Sequence, residues 1–260
     1  MLDMNFIEQF YPEQLKPFKR NMLREYLQYK ILGYIFDSKY SDKLIFMGGT
    51  AARIIYNNSR FSEDLDFDNK GLDKNAFEAL AELLKNKLAQ ENYVAEISIV
   101  LKNAFHIYIR FPGIFYKYKL SSNSQEKLSI YLDAEPQNYL YKPDKKVLNK
   151  FEVFLRINVV PVEVLLAQKI CAVFKRKRPM GRDFYDIVFL SSMVKPSIGY
   201  LREKINIGSA DILKEKLLDK SNSLNFKQLA KDVEPFLFNP DDSNKVLFFT
   251  DYIENTSFKE

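Results

Sequence analysis

Phe46-Met-Gly-Gly-Thr-Ala-Ala-Arg53, followed by Arg60-Phe-Ser-Glu-Asp-Leu-Asp-Phe67, decides how this chain is read. Leu44 to Met47 is a short apolar run suited to a buried strand, Gly48-Gly49 permits a tight turn, and Ala51 to Tyr56 has helical character. Main-chain N–H groups at such a helix start can hold an anion, with the Thr50 hydroxyl in reach. Asp64 and Asp66 alternate with Leu65 and Phe67, so on a strand both carboxylates point to one face. Neighbouring acids repel unless a cation lies between them, and Mg2+ binds through one or two carboxylates plus substrate phosphates. The stretch therefore predicts a site for a metal ion and a nucleoside triphosphate. A Gly-Gly turn or a D-x-D pair alone is commonplace, and it is their conjunction at this spacing that carries weight.

The 260 residues suffice for one large domain or two small ones, and an apolar share of 47% is ordinary for a chain that buries a core. No run of about eighteen apolar residues occurs, and Met1-Leu-Asp-Met-Asn lacks a signal-peptide pattern, so the expectation is a cytoplasmic protein without membrane contact. One cysteine, Cys171, forbids an intrachain disulfide, and with one histidine, His106, no Cys/His zinc cluster can form. A hard metal held by carboxylates remains. The net charge of +5 is too mild to argue for nucleic acid on its own.

Leu15, Phe18, Met22, Leu23, Tyr26, Leu27, Ile31 and Tyr34 recur at helical spacing from Glu13 to Asp37, and Asp73 caps a second expected helix from Lys74 to about Gln90. Tyr93 to Leu101 and Phe105 to Phe111 alternate as a hairpin broken at Lys102-Asn103, with His106 in its second strand as a structural or merely exposed residue. Lys127 to Asp133 is another strand, expected to stop at Ala134-Glu135-Pro136. Asp133 shares a face with Ser129 and Tyr131, and register alone decides whether it stands beside Asp64 and Asp66. The Lys/Asn/Pro-rich passage from Tyr141 to Lys150 is the candidate linker.

Pro161 suits a first helical position, and the helix it opens, to about Lys177, carries Val162, Leu165, Leu166, Ile170 and Val173 on one stripe. Lys169 interrupts that stripe and needs an anionic partner. Arg176 lies near the same face. The run Lys175-Arg-Lys-Arg178 is either a solvated helix end or a phosphate contact. Arg182-Asp-Phe-Tyr-Asp-Ile187 then opens a helix to about Met193, with Asp183 and Asp186 on neighbouring positions. These charges could equally be an ion-pair network pinning two helices.

Gly48-Gly49-Thr50, Arg60, Ser62 and Asp64-Leu-Asp66 resemble the signature of the AbiEii/AbiGii abortive-infection toxins, nucleotidyltransferases related to DNA polymerase beta. Lys169-x-x-Ala172-x-x-x-Arg176 with Arg182-Asp183-x-Tyr185-Asp186 resembles the second signature of the same family. The resemblance implies that Gly48, Gly49, Thr50 and Ser62 serve the nucleotide with Arg176, Arg182 and Asp183, Arg178 being the alternative to Arg176. It implies that Asp64 and Asp66 ligate the catalytic Mg2+ or Mn2+, with Asp133 as the third acid. Lys169 would meet triphosphate charge, and Asp186, or Asp183, would act as base or ligand. The expected fold is α/β (α+β): a mixed-sheet nucleotidyltransferase core over residues 1 to 150 and a mostly helical part over 151 to 260, with the site between them. The expected activity is transfer of a nucleotide from an NTP, GTP or CTP among them, to RNA, the 3′ end of tRNA being one acceptor, under control of a cognate antitoxin. A non-catalytic GTP/ATP-binding module and a helical interaction protein are the competing readings.

Overall fold

A computed structural model describes residues 3–102 and 104–258. The chain begins with α1 (Met4–Glu8), a 3-10 turn (Glu13–Phe18) and α2 (Lys19–Phe36). It continues through β1 (Leu44–Met47), α3 (Gly48–Tyr56), β2 (Leu65–Asn69), α4 (Lys74–Gln90), β3 (Glu96–Leu101) and β4 (Phe105–Pro112). Next come α5 (Ile114–Lys117), β5 (Lys127–Glu135), β6 (Asp144–Lys150) and β7 (Val153–Val159). Helices follow: α6 (Val162–Lys175), α7 (Gly181–Ser191), α8 (Ile198–Ile205), α9 (Ala210–Asn222), α10 (Phe226–Val233), α11 (Asn244–Leu247) and α12 (Phe249–Asn255). The architecture is the expected mixed α/β.

Among the described residues the strands form one seven-stranded sheet in the order β3-β4-β5-β2-β1-β7-β6. β2 pairs in parallel with β5 and β1 with β7, while the other pairings are antiparallel. Alternation decides its two faces. Leu65, Phe67, Ile107, Ile109, Phe111, Leu128, Ile130, Leu132 and Ala134 are buried on one side, against α2 and α4. α4 supplies Phe77, Leu80, Leu84 and Leu88 at helical spacing, and the Asp73 carboxylate caps it by accepting from the Ala76 N–H at 2.8 Å. The opposite side carries the polar set, Asp66, Asp133, His106, Tyr108, Arg110 and Tyr131.

Several local expectations give way. Pro17 splits the first long helix, so a 3-10 turn precedes α2. β5 does not stop before Ala134 but pairs on through Glu135, and Pro136 is the residue that ends it. The passage 141–150 is no linker: Asp144–Lys150 pairs along its length with β7 as an edge strand whose lysines discourage further pairing. Pro161 caps α6 instead of entering it. The hairpin is as expected, although Asn103 lies outside the described residues.

Two compact units result. One takes residues up to Ala51 and Phe61–Val159, and the other takes Ala52–Arg60 and everything from Val160 on. The second unit thus contains the loop between the two halves of the opening motif, together with α6 to α12. Within it α7 and α10 approach closely enough that a Cβ on Gly181 would lie 1.9 Å from the Leu229 carbonyl oxygen. No helix among the described residues is long and apolar enough to cross a membrane.

Candidate active site

β1 runs straight into α3, and the turn is made by Gly48 at φ +80°, a conformation that strains any other residue. Glycine is required there for a second reason. The Asp66 carboxylate rests on this turn so closely that a Cβ on Gly48 would lie 1.9 Å from Asp66 Oδ2. Thr50 is fully buried, and its hydroxyl donates to the Asp64 main-chain carbonyl. That hydroxyl has one hydrogen, so Thr50 fixes the main chain of Asp64 where the sequence had suggested a phosphate contact. Ser62 is half-buried, and its carbonyl and that of Glu63 accept from the Gln28 side chain at 3.1 and 2.9 Å. The stretch that carries the acids is therefore fastened at both Ser62 and Asp64.

Register answers the question left open at Asp133. Asp66 stands directly opposite Asp133 in the parallel β2–β5 pair, and Asp133 stands opposite His106 in β4. Paired residues share a face, so one row runs His106, Asp133, Asp66. His106 Nδ1 lies 2.6 Å from Asp133 Oδ1, which gives the histidine a definite role in orienting that carboxylate. Asp68 was not singled out by its sequence context, yet it follows Asp66 on the same face. It is fully buried and accepts from the Tyr141 hydroxyl at 2.5 Å, Lys70 Nζ at 2.8 Å and the Gln137 N–H at 2.9 Å. With three donors on its two oxygens, Asp68 anchors the segment after β5 to β2.

A divalent cation suits these donors. Asp66 and Asp133 are half-exposed carboxylates paired on one sheet face, Asp64 is half-exposed in the residue just before β2, and the Gly48 turn leaves room for nothing larger than hydrogen against Asp66. The described residues gather no closed cluster of three or more metal-ligating side chains. Two protein carboxylates completed by substrate phosphates is the pattern hard Mg2+ takes, in contrast to a dedicated protein cage.

The second group lies wholly in the second unit. Asp186 is fully buried, and Arg60, 1% exposed, grips it with two bonds of 2.7 Å, Nε to Oδ1 and a terminal nitrogen to Oδ2. Asn58 adds a donor to Oδ1 at 2.8 Å and Lys169 Nζ lies 2.8 Å from Oδ2. Burial, the largest influence, pushes the Asp186 pKa up, but Arg60 and Lys169 outweigh it and hold the carboxyl at about 2. An acid so paired is a poor proton acceptor, and its geometry is that of an anchor for Lys169 and Arg60. Asp183 is equally buried. Arg176 comes within 3.1 Å of Asp183 Oδ2 and Lys169 within 4.0 Å of Oδ1, yet neither oxygen has an aligned hydrogen bond. Asp183 thus attracts both cations as an ion pair without an aligned hydrogen bond, and Asp186 is the carboxylate that holds Lys169. Arg178 turns instead to Asp232 at 3.4 Å, so Arg176 is the arginine of this group. Arg182 is half-buried at the start of α7.

Arg60 belongs to the first sequence signature and Asp186 to the second, and the two form a bidentate pair within the second unit. Asn58 was missed in the sequence because an asparagine in an Asn57-Asn58-Ser59 loop looks like turn chemistry.

A mixed sheet with carboxylates beside a glycine turn fits the nucleotidyltransferase class. The sequence profile of the family described as nucleotidyl transferase AbiEii toxin, Type IV toxin–antitoxin system, matches residues 30–246, and the chain belongs to that family. It is thus a toxin-type nucleotidyltransferase, whose family implies an NTP substrate, a divalent metal and an antitoxin partner. Among solved structures, a candidate nucleotidyltransferase from Helicobacter pylori superposes with a TM-score of 0.57 at 18% identity, over 90% of this chain and 94% of that one. JHP933 from Helicobacter pylori gives 0.56 at 18%, over 90% and 91%. At such identities these neighbours establish the fold. Comparison with curated proteins finds no match.

Proposed function

We propose that the protein transfers a nucleotide from an NTP, GTP or CTP among the candidates, to a hydroxyl of RNA, with Mg2+ or Mn2+ held by Asp64 and Asp66. The observation that carries this reading is the Asp66 carboxylate seated against the Gly48 turn at the start of α3, with Asp133 opposite it in register. The bound metal would neutralise phosphate charge and polarise the phosphorus under attack.

The chain's own residues do the rest. N–H groups at the start of α3, which Gly48 and Gly49 leave open to close approach, bind phosphate oxygens. Thr50 and Gln28 hold the acid-bearing stretch in place through its main chain. His106 fixes Asp133. Lys169 and Arg176, positioned by Asp186 and Asp183, supply positive charge to the triphosphate and its leaving pyrophosphate. Asp186 stays ionised throughout and acts by orienting cations. A 3′-terminal hydroxyl, as at the end of tRNA, is the acceptor this chemistry serves.

Incubating purified protein with total RNA, Mg2+ or Mn2+ and each α-labelled NTP in turn tests the proposal. Label should enter RNA with one NTP preferred, and entry into no RNA with any NTP and either metal would sink it.

A further inference from the structure

We propose that the outer face of β4 and β5, next to the metal acids, is a stacking platform for the unpaired 3′ end of the RNA acceptor. The proposal rests on the nucleotidyl-transfer reading above and names where its acceptor binds. Tyr108 and Tyr131 are directly paired across β4 and β5, with rings 5.2 Å apart at 78°. Together they make a corner, one ring offering its flat face and the other its edge. Tyr131 is 37% exposed, an unusual position for a large aromatic on the middle of a central strand. Ser98 and Ser129 lie on the same face beside them.

Position ties this corner to the chemistry. Tyr131 precedes Asp133 by two residues on one face, a rise of about 6.7 Å along the strand. Asp66 pairs with Asp133, so Tyr131 lies two residues along β5 from the residue that faces Asp66, towards the end at which β2 begins. A base on the tyrosines would therefore lie one or two stacked nucleotides from a hydroxyl at Asp64 and Asp66.

Charge favours nucleic acid over a protein partner. Arg110 follows Tyr108 on the same face, with its guanidinium 5.7 Å from that ring and one long contact of 3.4 Å to the Ser98 hydroxyl. It forms no ion pair among the described residues, whereas Lys127, farther along the same face, is neutralised by Glu96 at 2.8 Å. Glu96 stands opposite Arg110 in the β3–β4 register but is engaged by Lys127, and a guanidinium with no acid bonded to it beside exposed aromatic rings fits a phosphate next to a stacked base. Exposed rings on a sheet face reward bases that are already unpaired, because the bases of a duplex are stacked on one another.

The test is binding of a 5′-fluorescein single-stranded RNA of mixed sequence and of a blunt duplex RNA, without NTP, by fluorescence anisotropy. A second single strand carries 2-aminopurine at its last or next-to-last position. Wild-type protein should prefer the single strand and quench the 2-aminopurine. Tyr131→Ala and Tyr131→Leu should each weaken single-strand binding by about tenfold or more and relieve the quenching, because stacking is lost. Tyr131→Phe should retain both, and Arg110→Gln should lower the salt slope by about one. Equal thermal midpoints for Tyr131→Leu and wild type show that folding is not the cause. Unchanged binding and quenching in the Tyr131 variants, or preference for the duplex, overturns the platform. Labelling of RNA that survives unaltered in those variants also overturns it while leaving nucleotidyl transfer standing. Loss of binding in a protein that labels no RNA overturns the transfer reading and leaves the platform standing.

Discussion

Asp64 and Asp66 are half-exposed and lie outside the apolar core, so exchanging either carboxylate for an amide leaves that core intact. Asp64→Asn and Asp66→Asn should each abolish nucleotide transfer and growth inhibition while keeping the thermal midpoint, and full activity of either variant with Mg2+ would end their role as ligands. Lys169 and Arg60 both touch Asp186, yet removal should have different consequences. Lys169→Met leaves Asp186 with Arg60 and Asn58, so stability should fall little while turnover falls by orders of magnitude, a cationic group in such a site contributing about 3 to 4 kcal/mol. Arg60→Met removes the bidentate partner of a fully buried carboxylate and should cost about 3 to 5 kcal/mol of stability. Thermal midpoint and transfer rate measured on both preparations separate the two, and a reversed pattern would make Lys169 the structural residue.

Between elements, close approach is the controlling quantity. α7 and α10 touch at Gly181, where any side chain must push against the Leu229 carbonyl, a main-chain atom that cannot turn aside. Gly181→Ala should destabilise the second unit by about 1 to 3 kcal/mol, seen as a lower denaturant midpoint, and an unaltered midpoint would show that the helices separate freely. The C-terminal end of α6 poses a different question. Lys175, Lys177 and Arg178 are exposed, and among the described residues only Arg178 has an acidic partner, Asp232. If they contact RNA phosphates, neutralising all three should flatten the salt dependence of RNA binding by roughly one unit per contact and leave nucleotide affinity alone. An unchanged slope returns them to a solvated helix end favoured by the helix dipole.

At the scale of the whole molecule, the buried ion pairs set its response to acid. Asp186 has a folded pKa of about 2 against an ordinary value of 3.8, and Glu91, beside Lys30 and Tyr34, is also lowered although burial opposes it. A carboxyl depressed in the folded state binds its proton more readily when unfolded, so its stabilisation is present above the ordinary value and is lost as pH falls towards the folded one. Stability to urea should therefore hold near neutral pH and decline from about pH 4 downwards, with Asp186 accounting for about 2 kcal/mol of the decline. Arg60→Met should blunt that dependence, and a stability profile flat from pH 5 to 2 would contradict the pairing.

Local pattern in the sequence determined which segments become strands and helices, because alternation and helical spacing reflect burial within one element. It likewise marked the Gly48 turn, Asp64 and Asp66, and the lysine stranded on an apolar stripe at Lys169. Gly48 to Asp66 is one short stretch of chain whose pattern is legible by itself, whereas Lys169, more than a hundred residues further on, was marked only by its own helix. Only the tertiary structure decided what depends on register or on distant chain. Asp133 stands beside Asp66 because β2 and β5 run parallel in one register, and a slip of one residue would have turned it into the core. Asp68 resembles its neighbours in the sequence and is withdrawn from them by Tyr141, over seventy residues away. Asp144–Lys150 became a strand because β7 offered a free edge, which overrode the loop-like composition of the passage. Arg60 and Asp186, separated by 126 positions, met because a buried carboxylate needs a guanidinium, a requirement that names the partner's chemistry without naming its place in the chain.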